Sequence, residues 1–164
     1  MAQSWRLPTL ALMAAVWAGC GSVGDGQRVI EGIEVSDAYA AEPVSTDVAA
    51  VYLTIRNHGT IPDTLTGARA PIAGMVHLHR MAGVGGAQMR PIEVVEVPAG
   101  GQLQLRPGSL HIMLMALTRR PRVGDTIEVT VQLAHAGDVA VRVPIVSYLE
   151  VGERAVVGTQ DEPR

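Results

Sequence analysis

The chain has 164 residues and a formal net charge of −3 at neutral pH. That is room for one domain with a sizeable core, without the basic field that binds nucleic acid. All thirteen Lys+Arg positions are Arg, Phe is absent, and a single cysteine excludes an internal disulfide.

The N-terminal stretch MAQSWRLPTLALMAAVWAGC carries Arg6 before an apolar run from Leu7 to Ala18. The run is too short to span a bilayer and ends in small residues, as an export signal does. Val16-Trp17-Ala18 fits a small-x-small site cleaved after Ala18. Ala18-Gly19-Cys20 fits the end of a bacterial lipobox, which would make Cys20 the lipidated first residue and explain an unpaired cysteine in an exported chain. The expectation is a signal over residues 1–19, a Gly-rich linker over 20–28, a β-domain over 29–150 and a polar tail over 151–164. The mature chain would lie in the periplasm, or face it as an anchored lipoprotein.

From Val29 onward the pattern is β. Candidate strands, in order, are VIEGIEV, VAAVYLTIRN, DTLTGAR, MVHLHRM, QMRPIE, GQLQLRP, LHIMLMAL, DTIEVTVQLA and DVAVRVPIV. Each is short, alternating or β-branched, and bounded by turn formers. NHGT, PAGG, RPGS and HAGD supply turns between them. Strands at this spacing predict an all-β antiparallel sandwich or small barrel, a single domain. Only DAYAAEP hints at helix, no helix beyond a turn or two is expected, and VGERAVVGTQDEPR reads as a loose tail.

Two strands carry unusual chemistry. Residues two apart on a strand share a face. His111, Met113 and Met115 therefore face one way and Ile112, Leu114 and Ala116 the other. Met75, His77, His79 and Met81 likewise share a face, opposite Val76 and Leu78. Met89 follows AGVGGAQ, a stretch able to return it to the same face. Thioether and imidazole donors together favour Cu(I) over zinc, calcium or magnesium. The competing reading is packing: Met is a common core filler. His58 and His135 sit at turn signals and read as surface residues. His79 is open as an auxiliary ligand or a neighbour. Met115, with Met75 or Met81, is open as a docking rim, a spare thioether or core.

Other functions lack support. A blue-copper electron-transfer centre needs a cysteine thiolate, and Cys20 lies outside the domain. No nucleophile triad, paired acids in a recognisable context or nucleotide loop suggests an enzyme.

The run AVYLTIRNHGTIPDTLTGARAPIAGMVHLHRM, followed by GAQMRPIEVVEVPAGGQLQLRPGSLHIMLMAL, resembles the periplasmic copper chaperones of the PCuAC type. The likeness extends over residues 30 to 146 and includes the closing VRVPIV. The family pattern is His, ten residues, Met, twenty-one residues, His-x-Met. Here Met89 is followed by twenty-one residues and then His111-Ile112-Met113. Upstream, eleven residues separate His77 from Met89 and nine separate His79 from it. An insertion within AGVGGAQ keeps His77 as the ligand, because HLHRM is similar to the family's His-x-His segment.

The resemblance implies a cupredoxin-like β-sandwich binding one Cu(I) through His77, Met89, His111 and Met113; His79 and Met115 stay open as auxiliaries. It also implies a copper carrier outside the cytoplasmic membrane. Such carriers supply the copper A centre of cytochrome c oxidase subunit II and work beside Sco-type thioredoxin-like proteins. A copper buffer would need the same ligands, whereas a scaffold sandwich would need none.

Overall fold

The computed structural model describes residues 28–44, 47–82 and 88–157. The signal, Cys20 and most of the linker expected from the sequence lie outside the described residues. Among the described residues, no helix is long and apolar enough to cross a membrane.

The described residues form eleven strands: β1 (Arg28–Ile30), β2 (Ile33–Ala41), β3 (Val48–Asn57), β4 (Asp63–Arg69), β5 (Ala73–Ala82), β6 (Gln88–Ile92), β7 (Val95–Val97), β8 (Gln102–Leu105), β9 (Leu110–Leu117), β10 (Thr126–Leu133) and β11 (Gly137–Val146). They form one hydrogen-bonded path, β6-β5-β9-β3-β2-β11-β10-β4-β7, with β1 added to β2 and β8 to β3. β3 divides one side between two partners: Val48–Val51 pair with β9 and Leu53–Arg56 with β8.

Alternation decides which side of the path is dry. Val35, Val51, Leu53, Ile55, Leu65, Ile112, Leu114, Val129, Val131, Val139, Val141 and Val143 belong to a single core built from both halves of the path. These are β-branched or leucine residues with few rotamers, suited to a closely packed interior. Among the described residues, the buried core contains no methionine. The Met residues of the domain therefore do not fill gaps in the core.

Several boundaries differ from the sequence-based expectation, each for a local reason. VIEGIEV is a hairpin rather than one strand. Glu31 and Gly32 both take positive φ, 49° and 83°, the geometry of a tight two-residue turn; a Glu in the first position masks the usual Asn-Gly or Asp-Gly signal. DAYAAEP is not helical: through Ala41 it continues β2, pairing with β3 through Tyr39 and Ala40. The short β7 was not anticipated, and it caps the edge of β4.

Pairing is not antiparallel throughout. The last residues of β11, Ile145 and Val146, run parallel to Ala40 and Ala41 of β2, where β11 leaves β10 and closes the sheet path. Nor is the C-terminal segment loose through its length, since a helix α1 (Tyr148–Val157) follows β11. Ser147 Oγ accepts the Glu150 N–H at 3.3 Å, an N-cap contact. Arg154 reaches back to Glu150 at 2.7 Å, four residues earlier. Val151 is buried with Tyr39, Ala41 and Val146 in a second small cluster outside the main core. Among the helix's described side chains only Val151 is buried, too little apolar burial to be legible in the sequence.

Asp63 pins the end of β4. It is buried and accepts backbone N–H groups from Thr64 (2.6 Å), His135 (3.0 Å) and Ala136 (2.9 Å). Burial pushes its pKa up, but the N–H donors outweigh that and leave it below the ordinary value. Its stabilisation is thus present above about pH 4 and is lost as pH falls further. Asp63→Ala strands those donors and should lower the unfolding free energy by about 3 kcal/mol. Urea denaturation would show this; a midpoint within error of the wild type would contradict it.

Candidate metal centre

The site is built by the pairing of β5 with β9. The register sets Met75 opposite Met115, His77 opposite Met113 and His79 opposite His111. On the outer side of β5, Met81 lies opposite Met89 of β6, and His79 opposite Pro91. On the far side of β9, Ala50 of β3 lies opposite Met113. Directly paired residues share a face. Three histidines and five methionines therefore line one outer face, the reverse of the face that buries Leu78, Ile112 and Leu114.

The far end of this face depends on Gly74. Ala116 takes a positive φ of 52°, and a Cβ added to Gly74 would stand 3.2 Å from the Ala116 Cβ. Glycine lets β5 stay close to β9 beside that kink, which keeps Met75 and Met115 paired.

The imidazoles form part of a row of rings. Tyr39 and Tyr52 lie 5.2 Å apart, Tyr52 and His111 6.4 Å, His111 and His79 5.9 Å edge-on, and His79 and His77 6.2 Å with nearly parallel planes. Arg154 of α1 sits 5.0 Å above the Tyr39 ring. Burial, with Tyr39 and Tyr148 nearby, pushes the Tyr52 pKa up to about 12, so Tyr52 remains a neutral phenol. Neither Tyr52 nor α1 was anticipated at the site. The alternation of VAAVYLTIRN does place Tyr52 on the face opposite Val51 and Leu53, and that was the available signal.

Exposure grades across the face. His111 is only 4% exposed, His79 is half-buried and His77 is exposed, while Met89 and Met75 are 56% and 51% exposed. His111 Nδ1 lies 3.3 Å from the Ser109 carbonyl. That carbonyl can only accept, so Nδ1 carries the proton and Nε2 keeps its lone pair. Burial holds the His111 pKa below the ordinary imidazole value against the Ser109 contact, and His79 depresses it further. Burial also lowers the His79 pKa, with His77 adding to the effect. His79 Nδ1 is buried and has no hydrogen-bond partner. Two neutral imidazoles, one with an unpartnered buried nitrogen, are in the form a metal ion requires.

Among the described residues, no three His, Cys, Asp or Glu side chains come together to hold a metal. An ion on this face would meet thioethers beside imidazoles, a donor set that favours soft cations. Met89 is one diagonal step from His79, but four residues along the ladder from His77, about 14 Å. Of the expected ligands, His111 shares the rung of His79 and Met89 lies one rung to one side, while Met113 and His77 share the next rung on the other side.

The other two histidines lie elsewhere. His58 contacts Glu34 at 2.8 Å and His135 contacts Asp63, both at turns as expected.

A family model described as "Putative lipoprotein LpqE-like" matches residues 33–145. The chain belongs to this LpqE-like family. A relative from Leifsonia xyli subsp. xyli, described as "Putative lipoprotein Lxx21020", is 26% identical over 155 residues, covering 90% of this chain and 93% of the relative. Among solved structures, the copper-bound PCuAC domain from PmoF2 matches with a TM-score of 0.65 at 20% identity, over 74% of this chain and 97% of that domain. Cu(I)-bound DR1885 from Deinococcus radiodurans is 31% identical, with a TM-score of 0.55, over 66% of this chain and 74% of that one. The LpqE-like chain thus has the cupredoxin-like β fold of PCuAC domains, as the resemblance implied.

The depressed imidazole values carry a consequence for the metal-free LpqE-like protein. Its unfolded form binds more protons than the folded form once pH falls through the ordinary imidazole range, near 6.5. Stability should therefore fall between about pH 7.5 and pH 5. In His111→Gln that slope should be shallower. Denaturation midpoints at both pH values test this, and a midpoint unchanged or raised at the lower pH would contradict it.

Proposed function

We propose that this protein is an exported copper carrier that holds one Cu(I) on the outer face of the β5–β9 ladder and releases it by ligand exchange. The observation that carries the reading is the register pairing His79 with His111 and His77 with Met113, on a face whose remaining large side chains are thioethers. The Cu(I) in DR1885 and the copper in the PmoF2 domain support the same cargo.

The ligand set we assign is His79, His111, Met89 and Met113. The family's spacing fits neither upstream imidazole strictly, and the sequence reading takes His77 with His79 as an auxiliary. The register favours His79, which faces His111 and is the nearer to Met89. Two neutral nitrogens and two thioethers satisfy a Cu(I) ion without adding charge, and they cannot close into a disulfide in an oxidising compartment. The reading is a carrier rather than an enzyme, since these donors hold an ion on an open face and offer no activated nucleophile.

Anchoring through Cys20 would keep the carrier at the outer side of the cytoplasmic membrane, a reading supported by the lipoprotein descriptions of its relatives. The copper A centre of cytochrome c oxidase subunit II is the recipient we propose, with a Sco-type protein alongside. The sequence resemblance supports that choice.

Anaerobic titration of the soluble domain with Cu(I) against a competing chelator tests the assignment. One tight equivalent is expected. His79→Ala, His111→Ala and Met113→Leu should each weaken it by at least about a hundredfold, more than loss of a supporting contact around a metal ligand. His77→Ala should cost far less. A larger loss with His77→Ala would move the upstream ligand to His77, and indifference to all four changes would end the copper reading.

A further inference from the structure

Beyond that ligand set the face still holds soft donors. Met75 and Met115 are directly opposed across β5 and β9, and His77 precedes them by one rung. Met75 is half-exposed, His77 exposed and Met115 partly so. Diagonal neighbours across an antiparallel pair lie about 7–8 Å apart at the backbone, within reach of long side chains. Hence all three can lean toward one ion. Packing does not explain the two thioethers. The buried core is built without methionine, and a half-exposed thioether at Met75 gains little from burial there.

We propose that Met75, His77 and Met115 form a second soft-metal site, binding a Cu(I) ion more weakly and more accessibly than the first. The proposal rests on the copper reading above. The second site centres on the rung of Met75 and Met115, two rungs from His79 and His111, about 14 Å along the ladder. Mutual repulsion between two monovalent ions at that spacing is small at a solvent-exposed surface. Met113, opposite His77, stands between the two sites and can exchange from one ion to the other. The second site is then the entry and exit point of the track. An incoming ligand meets half-exposed Met75 and exposed His77 before it meets buried His111.

The test is anaerobic Cu(I) titration of the soluble domain carrying methyl-labelled methionine, followed by NMR, beside the double variant Met75→Leu/Met115→Leu. In the wild type, the Met89 and Met113 methyl signals should move with the first equivalent and those of Met75 and Met115 with a second. The double variant should keep the first equivalent at unchanged affinity and lose the second. Leucine preserves volume, so circular dichroism and the unperturbed Met81 signal verify folding.

Saturation at one equivalent, with Met75 and Met115 stationary, would overturn the second site and leave the first standing. Movement of Met75 and Met115 alone would support the site proposed here while removing the four-ligand assignment. Stationary signals at every methionine would overturn both.

Discussion

Everything at the outer face follows from the pairing of β5 with β9. A ladder with side chains alternating at every residue leaves no freedom once one face is committed. Burial of Leu78, Ile112 and Leu114 in the core forces His79, His111 and Met113 outward together. A slip of one residue would put imidazoles into the aliphatic interior and the leucines into water, a penalty large enough to lock the register. The core therefore positions the donors without touching them.

The same constraint explains what could be read in advance. VAAVYLTIRN, DTLTGAR and LHIMLMAL occupy β3, β4 and β9 with the expected boundaries, because alternation and turn formers agree there. Agreement fails where a signal is split or faint. Glu31-Gly32 turns a run that reads as one strand into a hairpin, and DAYAAEP is rich in alanine yet lies between paired neighbours that need another strand. In α1, tertiary contact at Val151 and the Arg154–Tyr39 stacking supply what helix propensity does not.

At the site, the faces of individual strands were legible but the pairing between strands was not. Sequence spacing alone cannot say which residue of one strand stands opposite which residue of another when the connection varies in length. That is why counting residues between His77, His79 and Met89 left two candidates, while the ladder brings His79 to His111. Tyr52 is illegible for a related reason: it is contributed by β3, a third strand, and meets His111 through lateral packing.

The helix α1 gives the face a closed side and an open side. Its Val151 and Arg154 lie over Tyr39, and Tyr39 leans on Tyr52, which borders His111. That side of the face is covered, and on the copper reading a docking protein would come from the methionine side. On the copper reading, such a partner would strip the thioethers first and the shielded imidazole last. Hand-over would then be an ordered peeling, with His111 as the final hold on the ion, and with a C-terminal helix that supplies no ligand setting its direction.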